Sequence, residues 1–178
     1  MDATYATGVP ILGEHEPFNR VDGQFSIVKG LPDWLGPLSQ THLAARIYGA
    51  GGLPDKGQYY PLGGGELFRG FDQSERQGSL VWLGSLEWRV PVIRRVTWDC
   101  CDHLIGVRNV GLAAFYDVGD AYVRGRSMGP VAHAVGAGLR VDVAWISLIE
   151  RTTLRFDVAQ TVNSSSPVQF WFGVRVPF

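Results

Sequence analysis

The sequence predicts an all-β fold: an antiparallel transmembrane β-barrel of seven or eight strands, in a single domain spanning residues 1–178. Apolar and other residues alternate with a period of two through most of the chain after residue 24, and helical periodicity is nearly absent. The alternating runs span about nine to thirteen residues, which is long enough to cross a bilayer at a tilt. Abundant glycine and aromatic residues are typical of strands joined by turns.

The charge and hydropathy of the chain exclude several other classes. Lys and Arg number 16 and Asp and Glu number 17, so the formal net charge is -1, and no basic block is present. We therefore expect no nucleic-acid partner. No apolar run reaches the roughly 18 residues of a membrane-spanning helix. Residues 1–19 also lack the basic and apolar regions of a signal peptide.

Period-two alternation places the strands in order along the chain. Residues 1–23 hold an N-terminal loop and, at residues 3–12, an optional eighth strand. A glycine-rich segment, residues 51–78, separates two early strands from the C-terminal strands of residues 79–178. The seven remaining predicted strands span residues 24–29, 41–50, 79–90, 107–118, 132–146, 153–160 and 170–178.

Each predicted strand has an apolar face and a face that carries the charged residues. In residues 79–90 the apolar face reads Leu80, Trp82, Gly84, Leu86, Trp88 and Val90. A soluble β-sandwich would bury this face between two sheets, whereas a transmembrane barrel turns it toward lipid. The long strands and the tryptophans on the apolar faces favour the barrel. A soluble β-sandwich that binds a partner is the alternative.

The stretch LGGGELFRGF, residues 62–71, places an arginine between two aromatic residues in the glycine-rich segment. Gly63–Gly65 supply the freedom of positive φ that a chain needs to turn back on itself. A buried arginine requires a carboxylate partner, and a bidentate Arg–Asp pair satisfies it best. Taken alone, the motif also fits a surface loop whose arginine is solvated.

Six motifs that occur together and in one order favour the buried arginine over the solvated one. They are LGGGELFRGF, LEWRVPV, AAFYDVGDAY, VGAGLRVD, LRFDVAQ and the terminal FWFGVRVPF. In this order they resemble the C-terminal half of the bacterial surface antigen family, the BamA-type outer-membrane barrels. The resemblance covers roughly residues 40–178.

The resemblance implies that residues 51–78, called the inner loop below, fold back into the lumen of the barrel. The tip of this loop in the family is an aromatic or apolar residue, then Arg, Gly and an aromatic residue. Here the tip is the FRGF tetrapeptide: Phe68, Arg69, Gly70 and Phe71. The implied docking residues on the barrel wall are Phe115, Asp117 and Gly119.

The alternation pattern independently places docking partners on the same side of the sheet. Phe115 and Asp117 fall on the face of their strand that points away from lipid. We expect Asp117 to pair with Arg69 and Phe115 to stack on its guanidinium group. Glu87, which faces the lumen from the neighbouring strand, is a second candidate partner.

The C-terminal nonapeptide resembles the targeting strand with which outer-membrane barrels end. That pattern has a polar residue, a glycine, a hydrophobic residue and a terminal aromatic residue at fixed spacing. Gly173, Val176 and Phe178 match it, whereas Trp171 replaces the usual polar residue. Pro177 is acceptable only because it lies at a strand end or edge.

The family barrel has sixteen strands, so this chain supplies half of one. We expect either a fragment or a short half-barrel in the bacterial outer membrane, with lipid as its surroundings. The unpaired backbone groups at an open sheet edge are costly in lipid. The strands of one chain therefore close into a small barrel, or two chains complete one barrel as a homodimer. The implied function is inserting or translocating unfolded barrel or secreted client proteins without covalent chemistry. The alternative is a small or dimeric structural or porin-like barrel without clients.

The sequence gives little support for a catalytic site or a metal site. Lumen-facing carboxylates at Asp117, Asp142 and Asp157 and the histidines His42, His103 and His133 show no catalytic spacing. Adjacent Cys100 and Cys101, with His103, are too few for a closed zinc site. We therefore expect no catalytic residues, no metal and no cofactor.

Overall fold

The computed structural model describes residues 2–8, 18–53, 59–65, 67–96, 98–100, 104–123, 125–127, 129–145, 149–162 and 166–175. Most of these residues lie in antiparallel strands, which confirms the predicted all-β fold. The described strands are β1 (Asp2–Gly8), β2 (Phe18–Gly30), β3 (His42–Leu53), β4 (Tyr60–Leu62), β5 (Arg76–Gly78), β6 (Leu80–Ile93), β7 (Trp98–Cys100), β8 (Ile105–Val123), β9 (Arg126–Ser127), β10 (Ala132–Trp145), β11 (Ile149–Thr161) and β12 (Gln169–Arg175).

Eight long strands form one sheet in the order β1-β2-β3-β6-β8-β10-β11-β12. Each long strand pairs with the long strand before and after it in the chain, which is the meander expected from turn-linked alternating segments. The described pairings form a path from β1 to β12, and no pairing between these two strands occurs among the described residues.

The short elements sit at the ends of the sheet. β4 and β5 pair with each other within the inner loop, whereas β7 and β9 pair with opposite ends of β8. A 3-10 segment at Asp33–Gln40 joins β2 to β3 and is interrupted at Gly36, where φ is 60°. Among the described residues, no helix is both long and apolar enough to span a membrane.

Several strands are longer than the sequence predicts, and β2 and β8 differ most. β2 begins at Phe18 rather than residue 24, because residues 19–23 pair with the end of β3. β8 continues to Val123 rather than ending at residue 118, because it follows β6 to the pair Leu80 and Tyr122. Pairing with a neighbour therefore extends strands through glycine-containing and charged positions that look like turns in the sequence.

The two faces of the sheet differ in exposure as the alternation predicts. The outer face carries large apolar side chains that are exposed in this structure. They include Phe25, Ile47, Leu86, Leu112, Leu139, Phe156 and Phe172. The inner face carries small, polar and charged side chains and the buried core, which lies beneath the inner loop.

The inner face is concave. Gln24 on β2 and Arg155 on β11 line the same cavity of about 130 Å³ although four strands separate β2 from β11. The inner loop enters from the end of the sheet where β3 finishes at Leu53 and β6 begins at Leu80. This end is called the loop end below, and the opposite end, where β2 leads into β3, is called the far end.

We predict that Gly119→Ala lowers stability because β8 passes close to β6 at this position. A Cβ on Gly119 would lie 2.7 Å from the carbonyl oxygen of Trp82. The matched control is Gly49→Ala on β3, where the nearest atom, the carbonyl oxygen of Val81, lies 3.9 Å away. Thermal unfolding followed by circular dichroism should show a loss of about 1–3 kcal/mol for the first variant only. Equal midpoints for the two variants would contradict this packing.

Candidate functional site: the inner loop and its ion-pair cluster

The inner loop crosses the concave face and is bonded to strands on both sides of the sheet. Near β2 and β3, the Tyr60 hydroxyl donates to the carbonyl oxygen of Gly51 at 2.9 Å. Arg46 on β3 donates through Nη2 to the carbonyl oxygen of Leu67 at 2.8 Å. On the opposite side, Gln169 on β12 donates through Nε2 to the Asp72 carboxylate at 2.9 Å. These bonds hold the loop across the face.

The two phenylalanines of the FRGF tetrapeptide form the apolar seat of the loop. Phe68 and Phe71 are fully buried, and their ring centroids lie 4.5 Å apart. They belong to a core that also contains Leu62, Leu83, Ala121, Ala132 and Ala134. Small alanines on the sheet leave room for the two rings, so the loop rather than the sheet supplies most of the core volume.

Arg69 projects from between these rings into the sheet and binds Asp117 in a bidentate manner. Its Nε donates to Oδ2 and its Nη2 to Oδ1 of Asp117, each at 2.8 Å. The Arg69 backbone N–H also donates to the same carboxylate at 3.3 Å. The Asp117 side chain is completely buried, so this pair is shielded from water.

The remaining faces of the Arg69 guanidinium group are also occupied. Nη1 donates to Glu87 Oε2 at 2.7 Å, and Nη2 donates to the Ser85 hydroxyl at 3.0 Å. The Phe115 ring lies below the guanidinium carbon, with 3.4 Å to the ring centroid. The structure thus brings Arg69 together with the carboxylates and the aromatic ring that the sequence placed on the inner face.

Strand register explains why these partners meet. Ser85 on β6 is paired with Asp117 on β8, and Glu87 is paired with Phe115 one row further along the same face. Residues two apart on a strand share a face, so all four side chains surround one point on the sheet.

The ion pairs continue from Glu87 toward β10 and β11. Asp157 on β11 accepts from Nη1 of Arg140 and, at 2.7 Å, from Nη2 of Arg155. Arg140 also reaches Glu87 at 3.2 Å, and Arg89 reaches it at 2.8 Å. The ion-pair cluster contains Arg69, Arg89, Arg140, Arg155, Glu87, Asp117 and Asp157.

The electrostatics of the cluster keep the central arginine charged. Burial by itself lowers the pKa of the Arg69 guanidinium group. The hydrogen bonds and charges of Asp117 and Glu87 outweigh burial and raise this pKa above its ordinary value. Removing either carboxylate would therefore leave a buried positive charge without full compensation.

Glycines let the backbone of the loop reach the wall. Gly70 has φ 93°, and a Cβ there would lie 2.8 Å from the Cβ of Ala134 on β10. Gly63 and Gly64 also adopt positive φ, as expected for a chain that turns back. Gly65 has a different role, because a Cβ at this position would lie 2.6 Å from the Trp171 ring on β12.

Of the other predicted site residues, Gly119 lies apart from the ion-pair cluster, whereas Gly173 is the strand partner of Arg155, a member of the cluster. Gly119 pairs with Leu83 and Ala132 near the loop end, and Gly173 pairs with Arg155 on β11. Val176 and Phe178, the remaining residues of the predicted targeting strand, lie outside the described residues.

A second anchor of the loop was not predicted from the sequence. Arg76 on β5 donates through Nη1 to Asp120 at 3.4 Å and to the carbonyl oxygen of Pro130 at 2.7 Å. Asp120 is almost fully buried and also accepts from the Ser127 hydroxyl at 2.7 Å. In the sequence, the only sign of this anchor is the basic residue Arg76 near the end of the loop, because its partner Asp120 lies 44 residues away.

The side chains considered as candidates for catalysis or metal binding contact other side chains of the sheet. Asp142 accepts from Asn109 at 3.0 Å and from Thr153 at 2.8 Å, and Nδ1 of His133 lies 2.6 Å from the Tyr116 hydroxyl. No group of three or more potential metal ligands occurs in the described part of the chain. Cys101 and His103 lie outside it.

Comparisons with known proteins identified no relative: no family model, no curated protein and no solved structure matches this chain.

We predict that Arg69→Ala strongly destabilises the fold because it leaves Asp117 buried without its bidentate partner. The expected loss is about 3–5 kcal/mol, the usual cost of breaking a buried pair. The control is Arg108→Ala, which removes an exposed pair with Asp99 and should cost about 0–1 kcal/mol. Equilibrium urea unfolding followed by circular dichroism measures both values. A loss for Arg69→Ala as small as that for the control would rule out the structural role of this arginine.

Proposed function

We propose that this chain is an integral outer-membrane protein of the β-barrel type, with the inner loop fixed inside its lumen. The observation that carries the proposal is the exposed apolar outer face, which extends over seven long strands from β2 to β12. Ile47 is 65% exposed and Phe172 is 61% exposed near opposite sides of the sheet. Soluble monomers rarely expose apolar patches larger than a few hundred Å².

The placement of charge supports the same proposal. The ion-pair cluster lies on the concave face, away from the apolar outer face. A membrane barrel requires this arrangement, with apolar residues outward and polar residues in the lumen. Trp34 and Trp98 are exposed at the far end, where an interfacial aromatic girdle would lie.

We further propose that the protein helps other barrel or secreted proteins to insert into or cross the outer membrane. This role in insertion or translocation rests on the resemblance of its motifs to the bacterial surface antigen family. β1 and β12 end the described strand order, so a client strand would add to the sheet there by β-augmentation. The anchored inner loop would hold the rest of the sheet in place while a client strand pairs with β1 or β12. No covalent chemistry is required.

Membrane integration predicts a cost for charge on the outer face that a soluble protein would not show. Ile47→Arg places a charge in the middle of β3 and should destabilise the protein folded in phospholipid vesicles by about 2–4 kcal/mol. The control Trp34→Arg changes an 81% exposed residue outside the strands and should cost about 0–1 kcal/mol. Full-length folding into the vesicles is followed by circular dichroism and protease protection. Failure to enter the vesicles, or no cost for Ile47→Arg, would contradict membrane integration.

Client handling is tested separately in the same vesicles. Wild-type protein should speed the folding of a urea-denatured outer-membrane barrel added from outside, relative to empty vesicles. Folded protein without any acceleration would instead favour the structural or porin-like alternative.

A further inference from the structure

A second polar region lies at the far end of the inner face, away from the inner loop. It is a cavity of about 460 Å³ bounded by β3, β6, β8, β10 and β11. The ion-pair cluster forms part of its lining through Glu87, Arg89, Arg140 and Arg155. The anchoring of the loop does not account for the rest of this cavity.

The lining of the cavity is unevenly charged. Four arginines line it, namely Arg89, Arg94, Arg140 and Arg155. The carboxylates that line it are Glu87 and Asp142, so the formal charge of the lining is positive. A cleft lined by excess positive charge concentrates anions.

Two of the four arginines share the buried Asp157 carboxylate, although Nε of Arg155 is buried without a hydrogen-bond partner within the described ranges. Arg140 donates to Asp157 and Glu87, and Arg155 donates to Asp157. The positive charge of Arg140 and Arg155 is therefore mostly balanced by Asp157 and Glu87. Both side chains are also less exposed than those of Arg89 and Arg94.

The other two arginines retain donors for a ligand. Arg89 donates to Glu87 through Nε, and Arg94 donates to the carbonyl oxygen of Gln40 through one terminal nitrogen, Nη2. No other protein partner of these two guanidinium groups occurs among the described residues. The terminal nitrogens of Arg89 and the Nη1 and Nε groups of Arg94 thus have no partner among the described residues, and both arginines line the cavity.

Of the two lining carboxylates, Glu87 on β6 is paired with Arg89, whereas Asp142 lies on the opposite side of the cavity. Asp142 on β10 is already bonded to Asn109 and Thr153, both neutral donors. Arg89 on β6 is the register partner of His42 on β3, so the titratable residues that line the β3–β6 side are His42, Arg89 and Glu87, and Glu87 is paired with Arg89. An anion bound on this side would avoid Asp142.

We propose that this cavity binds a phosphate group between His42, Arg89 and Arg94. Guanidinium groups pair with phosphate oxygens through charge-assisted, often bidentate hydrogen bonds. The cavity is larger than a bare phosphate ion needs, so it also accommodates a phosphate carried by a larger molecule. A soluble phosphate and the headgroup of a phosphate-bearing lipid share this chemistry.

The test is calorimetric titration of the full chain in detergent with inorganic phosphate, at constant ionic strength with chloride as the reference anion. Saturable binding is expected, and the variant carrying Arg89→Gln and Arg94→Gln should bind at least tenfold more weakly. The control Arg108→Gln removes an exposed arginine outside the cavity and should leave the affinity unchanged. The single variant Arg94→Gln keeps Glu87 paired with Arg89 and guards against loss of folding.

A second arm identifies the source of the phosphate. Mixed micelles containing phosphatidic acid replace inorganic phosphate in the same titration. Binding to these micelles alone, with the same sensitivity to the two substitutions, would assign the site to a lipid headgroup. Binding of neither ligand, or equal binding by wild type and the double variant, would overturn the proposal. The titration does not require insertion into vesicles, so its failure is separate from failure of the proposed function.

Discussion

The buried pair of Arg69 and Asp117 is the interaction on which the inner loop depends. Taking both charges out of water costs several kcal/mol per ion, and only well-formed hydrogen bonds offset that cost. Here the bidentate pair is supplemented by Glu87, Ser85 and the Phe115 ring. A guanidinium group with this many partners has one favourable position, so the ion-pair cluster specifies where the loop sits as well as holding it.

Strand register is the second constraint, because it brings the partners of Arg69 to one place. A shift of β8 by one residue relative to β6 would turn Asp117 to the outer face and expose it to the apolar side. Loop docking and strand pairing therefore depend on each other. This dependence also links the proposed lumen to the proposed membrane face, since the same alternation that gathers charge inside places apolar side chains outside.

Sequence reasoning reached the fold class and the centre of the site because both follow from local alternation. Asp117 and Phe115 could be placed on the inner face by counting along one strand. Asp157 was also placed inside, but its link to Glu87 through Arg140 depends on the register of four strands. Asp120 was missed because counting puts it with Tyr116 and Val118, whereas its partners Arg76 and Ser127 come from other segments.

Hydrogen–deuterium exchange in wild type and Asp117→Asn tests most directly whether the ion pair anchors the loop. The substitution keeps the side-chain volume and removes the charge, so the packing of Phe68 and Phe71 is preserved. We predict that the amides of residues 67–71 exchange at least tenfold faster in the variant, while those of β10 keep their protection. Unchanged protection of residues 67–71 would mean that the apolar seat holds the loop without the ion pair, and would contradict this account.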